Sequence, residues 1–449
     1  MTESISATQV ATDPAQLSAF EAASLIRSRQ LSCEELVRAC LARIAARDGV
    51  VKAWLSLDPD HAISRARALD KLPPTGALHG VPLGVKDVID TADYPTTQNS
   101  VIYDGLKVGR DAACVAVARG SGALILGKTD TVEFASSGRR ALTTNPYNRA
   151  HTPGGSSSGS GAAVGDYHVP LAFGTQTGGS HIRPASFCGI YGLKPSWGLV
   201  SREGLRMSSI TLDTLGWYGR SVADLILVAS VFRIATDPAP VAVTGLRVGL
   251  CRSPVWDAIE PGGVMALEAA AAKLAAAGCI VEELVLPEPF TRLHAAHRTI
   301  MAGEGAASFL PEYVTAPALL APDLKARVEA MGEVSPEAWL GAYALADACR
   351  VQFDALFGPT LDVVLTPSSP GEAPVGLQST GNAIFNSMWT LLHVPNVGIP
   401  SGRGPANLPV GVTLVGKRMS DGRLLAQARA LAPIIDTDGE ARLAELWGG

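Results

Sequence analysis

Apolar and polar positions follow two periods along this chain, and the switches between them mark the expected elements. Ser32 and Glu35 form a capping-box pair, after which Leu36, Cys40, Leu41 and Ile44 fall on one helical face. Short β-branched or apolar runs follow at residues 81–88, 123–126 and 169–173, separated by glycines, prolines or helix-like stretches such as 112–119. Further on, an Ala-rich helix over 263–277 is stopped by Gly278, and a strand is expected over 280–286. Residues 290–350 read as mostly helical and 363–365 as another strand. With no internal repeat or linker in view, the expectation is one domain over 1–449. Its fold class is α/β: a compact unit with a central mixed, mostly parallel twisted sheet flanked by helices.

Composition narrows the class of function. The 449 residues are 47% hydrophobic, enough for a large core. Net charge is −5 and no run of Lys or Arg stands out, which argues against nucleic acid and against an acidic membrane as partners. The opening MTESISATQVATD lacks a basic segment followed by an apolar one, so no secretory signal is expected. The most apolar stretch, 222–232, contains Asp224 and is too short to span a bilayer. Seven dispersed cysteines, an odd number without a CxxC pair, read as free buried thiols in a reducing compartment. A cytoplasmic protein without a structural metal is the expectation.

Two motifs mislead. Residues 122–129, GALILGKT, fit the phosphate-loop pattern, but their middle four residues are apolar and read as a buried strand instead of a loop offering backbone N–H groups. Residues 155–159, GSSSG, fit the nucleophile-elbow pattern, yet PGG before Ser156 makes a poor strand. None of the eight histidines is a decisive partner; His181 adjoins Ser180 in sequence, and neighbouring side chains tend to point apart.

Three segments carry more chemistry. LHGVPLGVKD (78–87) ends an apolar run on Lys86, either a solvated strand-end charge or an amine that a dry pocket turns into a base. TPGGSSSGSG (152–161) resembles a linker, but its apolar surroundings favour a structured active-site loop. GTQTGGSHIRP (174–184) sets Ser180 after two glycines, where successive N–H groups can face an oxyanion.

Together these segments resemble the amidase-signature family. The resemblance extends through GKTD and EFA (127–135), FCGIYGLKP (187–195), SVAD (221–224) and LPVGVTLVG (408–416). It implies a signature core at about 75–225, with a helical covering region at about 255–360 inside the same domain. It further implies a Ser–cis-Ser–Lys triad, with Ser180 as nucleophile, Ser156 as bridging serine and Lys86 as base. Thr177, Gly178, Gly179 and Ser180 would supply the oxyanion hole, and no metal or cofactor is required. From residue types alone, Ser157 and Ser158 are equivalent to Ser156. The implied activity is hydrolysis of small-molecule amides, anilides or carbamates (urethanes), with esterase activity on the side. The alternative is an amidotransferase subunit working with partner chains. A small-molecule substrate is the expected partner, with a homodimer allowed.

The chain also departs from the family pattern. His181 displaces the arginine, so Arg183 stands three residues after the nucleophile, as in malonamidase-like members where it recognises a substrate carboxylate; a structural role is the other reading. Phe134 and Ala135 match the stretch that faces the acyl site. Trp389 belongs either to the core or to the wall of an aromatic or alkyl pocket.

Overall fold

The computed structural model describes residues 13–235, 237–358 and 360–447. Eleven strands form one sheet: β1 (Trp54–Leu57), β2 (Pro82–Lys86), β3 (Leu124–Thr129), β4 (Leu171–Gln176), β5 (Tyr191–Lys194), β6 (Thr214–Gly219), β7 (Arg247–Leu250), β8 (Ile280–Glu283), β9 (Val363–Pro367), β10 (Asn396–Arg403) and β11 (Pro409–Val415). Their order is β1-β3-β2-β4-β6-β5-β10-β11-β9-β7-β8. The fold is thus α/β, a large mixed sheet flanked by helices.

One expectation needs correction: the sheet is not mostly parallel. Parallel pairing is confined to β3-β2-β4 and to β8-β7-β9. The centre, β4-β6-β5-β10-β11-β9, is antiparallel throughout, as is β1 against β3. The reason lies in the connections. Parallel neighbours need a crossover of a dozen residues or more, whereas only residues 404–408 join β10 to β11, so that pair must turn back on itself.

Sheet pleating sorts side chains onto two faces. Leu83, Val85, Ile125, Leu171, Phe173, Leu215 and Trp217 belong to one core. Leu124, Leu126, Ala172 and Tyr218 belong to the opposite one, together with Ala162, Ala163 and Ala185. These alanines lie on helices Ser158–Gly165 and Ile182–Phe187, both buried along their whole length. Since Val85 faces the first core, Lys86 turns toward the second, where the Gly/Ser-rich segment packs.

At the chain's start, helix Cys33–Val51 has the expected capping box: Glu35 N–H donates to Ser32 Oγ at 3.1 Å and Ser32 N–H to Glu35 Oε2 at 2.8 Å. Helices Leu293–Ser308, Leu310–Thr315, Pro322–Glu329 and Pro336–Leu356 form the expected helical region. It packs through Phe290, Ile300 and Phe353 onto Trp389. Residues 124–129 are a fully buried strand instead of a phosphate loop, and Lys128 Nζ lies 3.2 Å from Asp87 Oδ1. All seven cysteines are free and buried. Among the described residues no helix is long and apolar enough to cross a membrane.

Candidate active site

Strand β2 delivers Lys86, fully buried, against the start of the Ser158–Gly165 helix. Its Nζ lies 2.8 Å from Ser156 Oγ, 3.1 Å from Ser157 Oγ and 2.7 Å from Thr175 Oγ1. No carboxylate among the described residues pairs with it. Burial therefore dominates and lowers its pKa to about 7, only partly opposed by the charge of Asp213. Asp87, next in sequence, points elsewhere: its carboxylate pairs with Lys128 and accepts from Thr97 N–H and Thr97 Oγ1.

A neutral amine has two hydrogens and one lone pair, so three surrounding hydroxyls suit it when two accept and one donates. Ser157 is committed as an acceptor from Lys86, because its own proton goes to the Thr175 carbonyl at 3.2 Å. Ser158 is further removed and donates to the Gly154 carbonyl at 2.8 Å. The side chain of Ser156, which follows a cis peptide bond from Gly155, has no hydrogen-bond partner but Lys86 among the described residues, so its proton is not committed to another acceptor there. Residue type left the three serines equivalent; their hydrogen bonds separate them.

Ser180 follows β4 and lies half-buried on the wall of a cavity of about 360 Å³, beside Thr177, Gly178 and Gly179. Two carbonyls of this loop are held by named donors. His297 Nε2–H donates to the Thr177 carbonyl at 2.8 Å, and Thr390 Oγ1 donates to that of Gly178 at 2.8 Å. In a trans peptide the N–H points opposite to the C=O, so these bonds orient the Gly178 and Gly179 N–H groups as a pair of donors. Gly179 has to be glycine, since a Cβ there would lie 2.4 Å from Asn386 Oδ1. Gln176 braces the same turn: its Oε1 accepts from His181 and Ile182 N–H at 3.0 Å, and its Nε2 donates to Thr390 at 3.0 Å. Burial lowers the pKa of His297 to about 4, so the imidazole is neutral at pH 7.

His181 is not placed as a base. It stacks on Tyr218 at 3.9 Å between ring centroids, donates from Nε2 to the Trp217 carbonyl at 3.0 Å, and is pushed down to about 3 by burial.

Three expected substrate contacts lie elsewhere. Arg183 is buried as a brace: Nε donates to the Thr380 carbonyl at 2.7 Å and Nη2 to the Gly155 carbonyl at 2.7 Å. It does not line the cavity, and its Nη1 is buried without a hydrogen-bond partner among the described residues. Phe134 is enclosed by Tyr103, Phe309 and Arg206 instead of facing the cavity, while its neighbour Ala135 does line it. Trp389 is fully buried against Phe353 in the core. The remaining wall is formed by residues that the sequence reading passed over, among them Ser136, Ser208, His294, Arg298, Met301, Arg327 and Ile384. One signal was available for some of them. His294, His297 and Arg298 fall at helical spacing on Leu293–Ser308, so one surface of that helix was open to suspicion. No motif marks Arg327.

With the geometry in place, the comparisons fix the family. The family model described as Amidase matches residues 35–425. The chain is 32% identical to a glutamyl-tRNA(Gln) amidotransferase chain of Chloroflexus aggregans, covering 94% of this chain and 96% of that one. In structure it resembles the peptide amidase of Stenotrophomonas maltophilia (TM-score 0.80, 28% identity, 94% and 97% covered). It also resembles a chain from a vestigial protein complex linked to the origins of an s-triazine catabolic enzyme (TM-score 0.82, 27% identity, 92% and 98% covered). The chain belongs to the amidase family, and it is a hydrolase acting on C–N bonds.

Proposed function

We propose that the chain is a free-standing amidase of small molecules, cleaving amides, anilides or carbamates through an acyl-enzyme on Ser180. The observation that carries this reading is Lys86: a buried amine among three hydroxyls, without a carboxylate partner among the described residues, and with Ser156 as the hydroxyl whose proton is uncommitted. Ser156 passes its proton to Lys86 Nζ and takes the proton of Ser180 as Ser180 Oγ attacks the carbonyl carbon. The C=O electron pair moves onto oxygen, toward the N–H groups of Thr177, Gly178, Gly179 and Ser180, each commonly worth about 3–4 kcal/mol in such sites. Collapse breaks the C–N bond, and the leaving nitrogen takes its proton from Ser156, which is resupplied by Lys86. Water then attacks the acyl-enzyme by the same relay in reverse. Esters fit the same steps with an alkoxide as leaving group.

A panel of anilides, primary amides and carbamates, assayed with wild type and Ser180→Ala, tests this. The expected result is a loss of about a thousandfold or more in kcat, with the circular dichroism spectrum unchanged. Undiminished turnover by the variant overturns the reading. A second reading, one component of a multi-chain amidotransferase, draws on the names of the curated relatives. It predicts activity only when partner chains are added.

A further inference from the structure

We infer that the substrate carries a carboxylate, and that Arg298 and Arg327 receive it; this rests on the reading of Ser180 as nucleophile. Both arginines line the cavity that holds Ser180 and the Thr177–Gly179 turn. Among the described residues no Asp or Glu lines it, and the two imidazoles in its wall, His294 and His297, are both held toward the neutral form by burial. The wall of the cavity is therefore cationic.

Neither arginine is neutralised by an ion pair among the described residues. Arg298 is exposed, and none of the salt bridges or side-chain hydrogen bonds found there involves it. Arg327, only partly exposed, donates from Nη1 to Ser136 Oγ at 2.5 Å and lies over the Phe309 ring at 6.0 Å. Asp323, the acid whose charge acts on it, accepts from Gly138 N–H at 2.9 Å. Asp213, beneath the floor, is consumed by Ser208 N–H at 2.5 Å, Ser209 N–H at 3.0 Å and Thr177 Oγ1. Two guanidinium groups on one small cavity repel each other, and an anion bound between them removes that cost while filling their open donors.

The cavity, at about 360 Å³, is at the small end of ligand pockets, so carboxylate and scissile carbonyl must sit within a short molecule. Met301, Ile384, Ala135 and Ala383 supply apolar wall for the carbons between them. The class that fits is the half-amide of a short dicarboxylic acid. Arg183, for which this task was one of two readings from the sequence, holds the Thr380 and Gly155 carbonyls through Nε and Nη2 and does not line this cavity.

The test reads occupancy of the site separately from turnover. A fluorophosphonate labels Ser180, and protection is titrated with glutaramate (glutaric acid half-amide) and with its neutral methyl ester. Wild type is expected to be half-protected by glutaramate at a concentration at least about tenfold lower than by the ester, a charge-assisted preference that shrinks in 0.5 M NaCl. Arg298→Gln and Arg327→Gln should each cut that ratio several-fold, and Arg327→Lys should restore part of it. A purely structural role for either arginine would weaken protection by acid and ester alike, leaving the ratio intact. Labelling of Ser180 with equal protection by acid and ester, or with none by the acid, overturns the inference while leaving the hydrolase reading standing. Failure of Ser180 to label overturns both.

Discussion

At the scale of single residues, the site turns on how one lysine is kept without its usual counter-ion. Lys86 and Asp87 are neighbours in sequence, and a lysine beside a carboxylate would normally stay charged. The chain separates them: Lys86 faces Ser156, Ser157 and Thr175, while Asp87 is taken up by Lys128 and Thr97. Burial then acts on Lys86 almost alone, bringing its pKa to about 7. If the neutral amine is the base, kcat/KM should rise with pH through about 7 and level off above it. Lys86→Arg should be at least about a hundredfold slower at every pH from 6 to 9, since a guanidinium does not give up its proton in that range. Initial rates on one amide across this span check both statements. A profile that is flat for wild type, or a rising one for Lys86→Arg, would remove Lys86 from the proton path.

At the scale of elements, the local pattern was readable and the pairing was not. The capping box at Ser32, the helix ending near Gly278 and the strands at 81–88 and 169–173 follow from spacing and side-chain shape, properties carried by neighbours in sequence. Strand direction depends on which strands meet, and strands buried on both faces read as apolar runs whichever way they point. For the same reason β5 and β6 stayed hidden beside the stronger runs. The site divided likewise. Lys86, Ser156 and Ser180 lie in motifs, whereas His297, Arg298 and Arg327 reach the cavity only through folding. The Gly/Ser segment shows why composition can deceive: its glycines serve packing. A Cβ on Gly159 would fall 2.2 Å from the Ala53 carbonyl oxygen and 2.3 Å from Asp130 N, both backbone atoms that cannot step aside. Gly159→Ala should therefore destabilise by about 3 kcal/mol or more. Gly49, exposed in helix Cys33–Val51 with nothing within 4 Å of its would-be Cβ, is the contrast. Gly49→Ala should stabilise by roughly 0.5–1 kcal/mol. Urea midpoints for the two variants should move in opposite directions; a neutral Gly159→Ala would mean the helix is free to shift from β3.

For the whole molecule, the same burial that prepares the site makes stability depend on pH. Burial lowers His181 to about 3, His297 to about 4 and His393 to about 3, and it lowers both Lys86 and Lys194 to about 7. In every case the folded pKa lies below the unfolded one, so between the two values the unfolded chain binds more protons and stability rises with pH. The histidines act from about 6.5 downward and the lysines from about 10.5 downward, with the lysine effect flattening once pH falls below about 7. Asp130, raised to about 6 by burial, works the other way, but only below about 6. Buried thiols such as Cys40 and Cys114, held near 12, begin to oppose the trend only as the unfolded thiols ionise near 9. The window from pH 6 to pH 8 is therefore the one where the histidine and lysine effects act together. Each of the five groups should add on the order of 1 kcal/mol across it, so the urea midpoint should climb steadily from pH 6 to pH 8. A midpoint that rises from pH 6 to about pH 7 through the histidines but levels off above that would mean that Lys86 and Lys194 keep their protons in the folded chain. The base proposed for the reaction would then be charged where it is needed neutral.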